Sequence, residues 1–176
     1  MAYRATERLV PTTVTRIELE AEVPFDTLCR ALEAEVPPLD EDALRRLIAE
    51  GADWSRLTRE LAGPGIHRLV RFFTEDPTAV MRLGGADIPS AAYLIGDYLT
   101  AARMFRHDPG VLLYTPLRLE LHAVGPARTI LSVDQPSSAL TGFGNNKIGQ
   151  AAYELDRMLG DLLEEIGLPR PSVLRL

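Results

Sequence analysis

The chain predicts an α+β domain, an antiparallel sheet with a long C-terminal helix packed on one face. Three observations carry this. Residues 111–123 alternate between apolar and polar side chains over a full strand length. Strand-like stretches follow one another between residues 66 and 134 with turns and one short helix between them, which favours antiparallel pairing with the helices on one side. Residues 146–166 carry a long apolar stripe at helical spacing: Ile148, Ala151, Ala152, Leu155, Met158, Leu159, Leu162, Leu163 and Ile166.

The elements follow in order. Residues 1–13 have no period and read as a loose arm, residues 14–168 as a single α+β domain, and residues 169–176 as a tail. Residues 14–21 alternate, with Ile17 and Leu19 on one side and Arg16, Glu18 and Glu20 on the other, as in a half-buried strand. Pro24 opens a helix whose stripe is Phe25, Leu28, Cys29, Leu32 and Val36, and Pro37-Pro38 ends it. Extra short helices fall at about 40–62: Asp40 and Asp53 are N-caps, and Gly51 stops the first of them. Residues 66–73, 79–83 and 91–97 read as strands, and 99–107 as a short helix stopped at Asp108-Pro109.

In the strand predicted over 111–123 the odd positions face the core, which puts Tyr114, Arg118, Glu120 and His122 on the other face. Pro116 lacks an amide hydrogen, so this strand is expected at an edge or with a bulge. Gly125-Pro126 turns the chain into a hairpin partner at 128–134, with Thr129, Leu131 and Val133 inward. Residues 136–146 read as a loop, and Asn145 or Asn146 caps the last helix.

Composition narrows the function classes. A formal net charge of −6 argues against non-specific binding to nucleic acid or an anionic membrane. No apolar run reaches membrane-spanning length, and the first residues lack the apolar core of a secretory signal. Cys29 is the only cysteine, which excludes an internal disulfide and a cysteine-based zinc cluster, and a cytoplasmic setting is expected. Lys147 is the only lysine among 19 basic residues; a GC-rich genome explains that bias without invoking an anion site.

The spaced marks in "YLIGDYLTAARMFRHDPGVLLYTPLRLELH", "VDQPSSAL" and "AAYELDRMLGDLL" resemble a bacterial and archaeal family described as domain of unknown function 302. Asp108-Pro109, Thr115-Pro116 and Asp134-Gln135-Pro136 fall at the family's turn points, over roughly residues 14–166. The resemblance implies a TATA-binding-protein-like fold, strand–helix–four strands–helix, often paired as a dimer. It brings no established activity. The cysteine that many relatives carry after the proline of the fourth strand is replaced here by Leu117, so no thiol or metal role follows from it.

The candidate chemistry is sparse. Arg103, Arg106 and His107 share a helical face that could hold an anion, or could simply be solvated. His107, Asp108 and His122 are the candidate acid/base residues, with histidine as the natural proton carrier near neutrality. Tyr93, Tyr114 and Arg118 join Arg103 and Arg106 as candidate ligand contacts, and Trp54, Phe72 and Phe73 could help line an apolar cavity beneath the long helix. His67 and His122 lie on different predicted strands with no third ligand in view, so no metal is expected. The Gly-rich stretch 141–147 matches no phosphate-loop pattern. Two functions stay open: a cofactor-independent binding protein or proton-transfer enzyme (isomerase, cyclase or lyase type) for a small, mostly apolar ligand between sheet and long helix, or a non-catalytic structural or interaction protein. The expected partner is a second copy of the chain, on the grounds of the edge-like strand with Leu112 and Tyr114 outward.

Overall fold

A computed structural model describes residues 3–62 and 67–175. Five antiparallel strands, β1 (Arg16–Ala21), β2 (Val70–Glu75), β3 (Ser90–Gly96), β4 (Leu117–Gly125) and β5 (Arg128–Asp134), lie in the order β1-β5-β4-β3-β2. The helices are α1 (Phe25–Glu35), α2 (Glu41–Ala49), α3 (Trp54–Leu61), α4 (Thr78–Leu83), α5 (Tyr98–Phe105), α6 (Pro136–Leu140) and α7 (Asn146–Glu165). Short 3₁₀ turns occur at Pro109–Leu113, Thr141–Phe143 and Ser172–Leu174.

The core lies on one face of the sheet, as strand alternation requires. Ile17, Tyr93, Ile95, Leu117, Leu119, Leu121, Leu131 and Val133 point into it, against Leu28 and Leu32 of α1 and the stripe of α7. Leu174, beyond α7, is buried in the same cluster. Each capping carboxylate or amide takes up backbone N–H groups that a helix start leaves free. Asp40 accepts from Ala43 N at 2.8 Å, Asp53 from Arg56 N at 2.7 Å, and Asn145 from Lys147 N at 2.8 Å. Among the described residues the opposite sheet face carries no helix layer. There Arg118 is exposed, and Glu120 and His122 are half-buried beside each other.

The structure corrects several expectations. Residues 79–83 form helix α4, not a strand. Asp76 accepts from Thr78 N at 2.9 Å and starts a helical turn, and the helix buries none of its apolar side chains, so no sheet face selects the strand. The strand expected over 111–123 begins only at Leu117. Residues Pro109–Leu113 wind into a 3₁₀ turn capped by Asp108 on Gly110 N at 2.8 Å, and the Thr115–Pro116 bond is cis. Tyr114 is therefore off the strand, and its ring meets Phe143 edge-on with centroids 6.1 Å apart.

β4 is also not an edge: β3 and β5 flank it, Pro116 precedes its ladder and needs no partner there, and its pairing with β5 does shift register, but between Ala123 and Gly125, away from the proline. The predicted loop at 136–146 holds α6 and a 3₁₀ turn, because Pro136 stands at a first helical position, where its missing N–H costs nothing. The strand predicted over 66–73 is displaced to Val70–Glu75: His67 lies in a turn, and Ile66 falls outside the described residues.

Candidate functional site

A pocket of about 180 Å³ opens where β3 passes into α5. Phe72 of β2, Gly96 of β3, Tyr98 and Ala101 of α5, Leu112 of the 3₁₀ turn, Pro116, and Leu155 of α7 line it. The wall is apolar apart from Asp97, Thr115 and the Tyr98 hydroxyl, and the first two are already engaged. Asp97 caps α5, accepting from Leu99 N and Thr100 N at 3.0 Å and from Thr100 Oγ1 at 2.7 Å. Thr115 Oγ1 donates to Val111 O at 3.2 Å.

Gly96 forms part of the wall, and any side chain there would press on both neighbours. A Cβ there would lie 3.2 Å from Pro116 Cβ and 3.3 Å from Phe72 Cε2. Phe72 and Tyr98 meet edge-to-face with centroids 5.0 Å apart, an arrangement that aligns ring edge with ring face. Burial pushes the Tyr98 hydroxyl above its ordinary pKa, so it stays a neutral phenol.

The candidate residues do not converge on this pocket. His107 and Asp108 are exposed at the end of α5, and His122 lies on the sheet face away from the helices, its Nδ1 3.0 Å from Glu120. Arg103 forms a two-pronged pair with Glu154 of α7 and holds that carboxyl below the usual carboxylate range. Arg106 is exposed. Tyr93 is buried in the core, and its hydroxyl donates to Glu33 Oε1 at 3.0 Å. Burial also raises the Tyr93 hydroxyl and the neighbouring Cys29 thiol above their ordinary pKa values. Tyr114 and Arg118 line a separate, smaller depression beside Pro136. Trp54 is largely exposed on α3, and Phe73 faces the open side of the sheet. Of the aromatic residues named from the sequence, Phe72 alone reaches the apolar pocket, where Tyr98 joins it.

A second grouping was invisible in the sequence. Glu35, His67 and Glu165 bring one donor atom each to within 4.8 Å of one another. They are remote in the chain, and only the meeting of α1 and α7 at the turn before β2 assembles them. His67 Nδ1 accepts from Leu69 N at 3.0 Å, and burial lowers the ring's pKa against the opposing pull of Glu165, Glu35 and Asp161.

No family model matches the sequence. No curated protein matches it either. Among solved structures, the chain is similar to one described as uncharacterized conserved protein DUF302 from Bacillus stearothermophilus, with a TM-score of 0.59 and 12% identity. The match covers 86% of this chain and 97% of that one. At that identity the likeness speaks to the fold alone, and on it the chain has a DUF302-like fold.

Proposed function

We propose that the protein binds a small apolar molecule, of single-ring or fused-ring aromatic size, in the pocket between β3, α5 and α7. The observation that carries this is the pocket's volume of about 180 Å³ with an almost wholly apolar wall. Cavities of roughly 150 Å³ lined by apolar side chains hold benzene, whereas drug-sized ligands need about 300 Å³ or more. Binding is favoured over proton transfer because the wall offers no free carboxylate or imidazole, and its one phenol, Tyr98, is held protonated by burial. Asp97 is committed to its cap, and His107, Asp108 and His122 do not line the pocket.

Indole is a suitable probe. At about ten times its Kd it stabilises the folded chain by roughly 1.4 kcal/mol. That is a melting shift of about 4 °C for a domain of this size. Ala101→Phe projects a ring into the space, and the shift is expected to vanish while the unliganded melt stays within about 2 °C. An equal shift in wild type and variant would place the binding elsewhere.

Pairing of two chains is a second reading, favoured by the open sheet face. On that face Phe73 remains 51% exposed beside Leu94. Light scattering at micromolar concentration is expected to give twice the chain mass, and Phe73→Glu to return it to a monomer. A monomer mass for the wild type removes this reading.

A further inference from the structure

Two helices end on glutamates at the same place. Glu35 is the last residue of α1 and Glu165 the last of α7, and neither helix has a basic residue in its last turn. The C-terminus of a helix carries partial negative charge, so carboxylates there are disfavoured and a cation is favoured. Among the described residues neither glutamate pairs with an arginine or lysine, although their neighbours do. Glu33 faces Arg71 at 3.2 Å, and Glu164 faces Arg170 at 2.8 Å.

Between the two carboxylates sits His67, fully buried. With Nδ1 accepting from Leu69, the neutral ring carries its proton on Nε2. That Nε2 is 3.1 Å from Glu165 Oε2, yet the oxygen is off the line of the N–H and no hydrogen bond forms. Buried polar atoms without a partner are rare in folded proteins, and this one lies within reach of two carboxylates.

We propose that Glu35, His67 and Glu165 form a binding site for a divalent transition cation of the Zn²⁺ class. One imidazole nitrogen and two carboxylate oxygens suit Zn²⁺ or Mn²⁺. Mg²⁺ and Ca²⁺ prefer all-oxygen shells, and Cu⁺ prefers sulfur. Tetrahedral Zn²⁺ holds such donors about 3.4 Å apart. The His67–Glu165 pair is already at 3.1 Å, and the remaining separations, at most 4.8 Å, need to close by no more than about 1.4 Å to reach the tetrahedral spacing. Three protein ligands leave a further position for water.

Binding requires a change of tautomer. The cation takes the Nε2 lone pair, the ring loses its Nε2 proton and gains one at Nδ1, and no net proton leaves the ring. The Leu69 N–H then loses its acceptor, so its amide reports on occupancy at this histidine. Affinity falls as the pH is lowered, because the ligands must be deprotonated. The site is separate from the apolar pocket and shares no residue with it, so the two readings stand or fall independently.

The test uses the full chain stripped with a chelator, and Zn²⁺ alone as the probe. Calorimetric titration at neutral pH is expected to show one equivalent bound. Glu35→Gln and Glu165→Gln should each weaken Kd by about tenfold or more. The Leu69 amide resonance should move on addition of Zn²⁺ to wild type. His67→Gln should abolish binding, but it replaces a buried ring, so the glutamate variants carry the decision. In chelator both should melt at or above wild type, since each relieves a like-charge pair, and in Zn²⁺ wild type should melt above both. Absence of a stoichiometric site in wild type, Kd unchanged in both glutamate variants, or an unmoved Leu69 resonance at saturation overturns the proposal.

Discussion

Asp156→Ala is expected to destabilise the fold by about 3 kcal/mol, a fall in melting temperature of roughly 6–12 °C. Asp156 is fully buried on α7, among the leucines of its core stripe. Its carboxylate accepts from Ser137 N at 2.9 Å, Ser137 Oγ at 2.5 Å and Gln135 Nε2 at 3.0 Å. These bonds tie the end of β5 and the start of α6 to the long helix. Gln135 extends the tie: its Nε2 donates to Val173 O at 3.2 Å and its N to Thr15 O at 2.8 Å.

Alanine at 156 would strand the buried Ser137 N–H and hydroxyl at once, while Gln135 Nε2 keeps Val173 O as an acceptor, and a buried donor left without an acceptor costs more than the bond was worth. Ser137→Ala removes one partner and leaves the N–H bond in place, so about 1 kcal/mol is expected. The two substitutions touch one network and should not add. A denaturant-unfolding cycle over wild type, both single variants and the double variant checks this. Fully additive losses would show that the network is not a unit.

Asp156 shows what was legible and what was not. The stripe of α7 is plain in the sequence, and the structure follows it almost residue for residue. Position 156 lies on that stripe, four residues after Ala152 and three before Leu159, so a carboxylate there signals a buried polar anchor. The Asp134-Gln135-Pro136 mark pointed to the right turn, although Gln135 and Ser137, not the exposed Asp134, reach α7. Caps were legible for the same reason: Asp40, Asp53 and Asn145 act within three residues of themselves.

What failed was whatever depended on distant partners. Alternation over 111–123 continues back through residues that wind into a 3₁₀ turn, because period-two patterning cannot register a local turn capped by Asp108. Residues 79–83 have strand-like composition, but no neighbouring strand takes them up, and a turn of helix wins. The apolar pocket and the Glu35–His67–Glu165 grouping both arise where elements far apart in the chain meet, so no short motif announces either.

Leu155→Ala joins the core to the pocket, and is expected to lower stability by about 3 kcal/mol while making the pocket larger. Leu155 is 2% exposed, packs in the main core cluster and also lines the pocket. Removing its isobutyl group forfeits apolar burial and leaves space that a rigid helix cannot collapse to fill. That space is continuous with the existing pocket, so an apolar ligand can occupy both. Leu162→Ala supplies the control: Leu162 is on the same helix, fully buried, and is not part of the pocket wall. Both variants should lose comparable stability in denaturant titrations. Naphthalene or a similar two-ring probe should raise the melting temperature of Leu155→Ala by several degrees more than that of wild type, and leave Leu162→Ala responding no better than wild type. Equal responses from the two variants would mean that the ligand enters wherever the core is loosened, and the pocket beside Gly96 and Tyr98 would lose its claim to be a binding site.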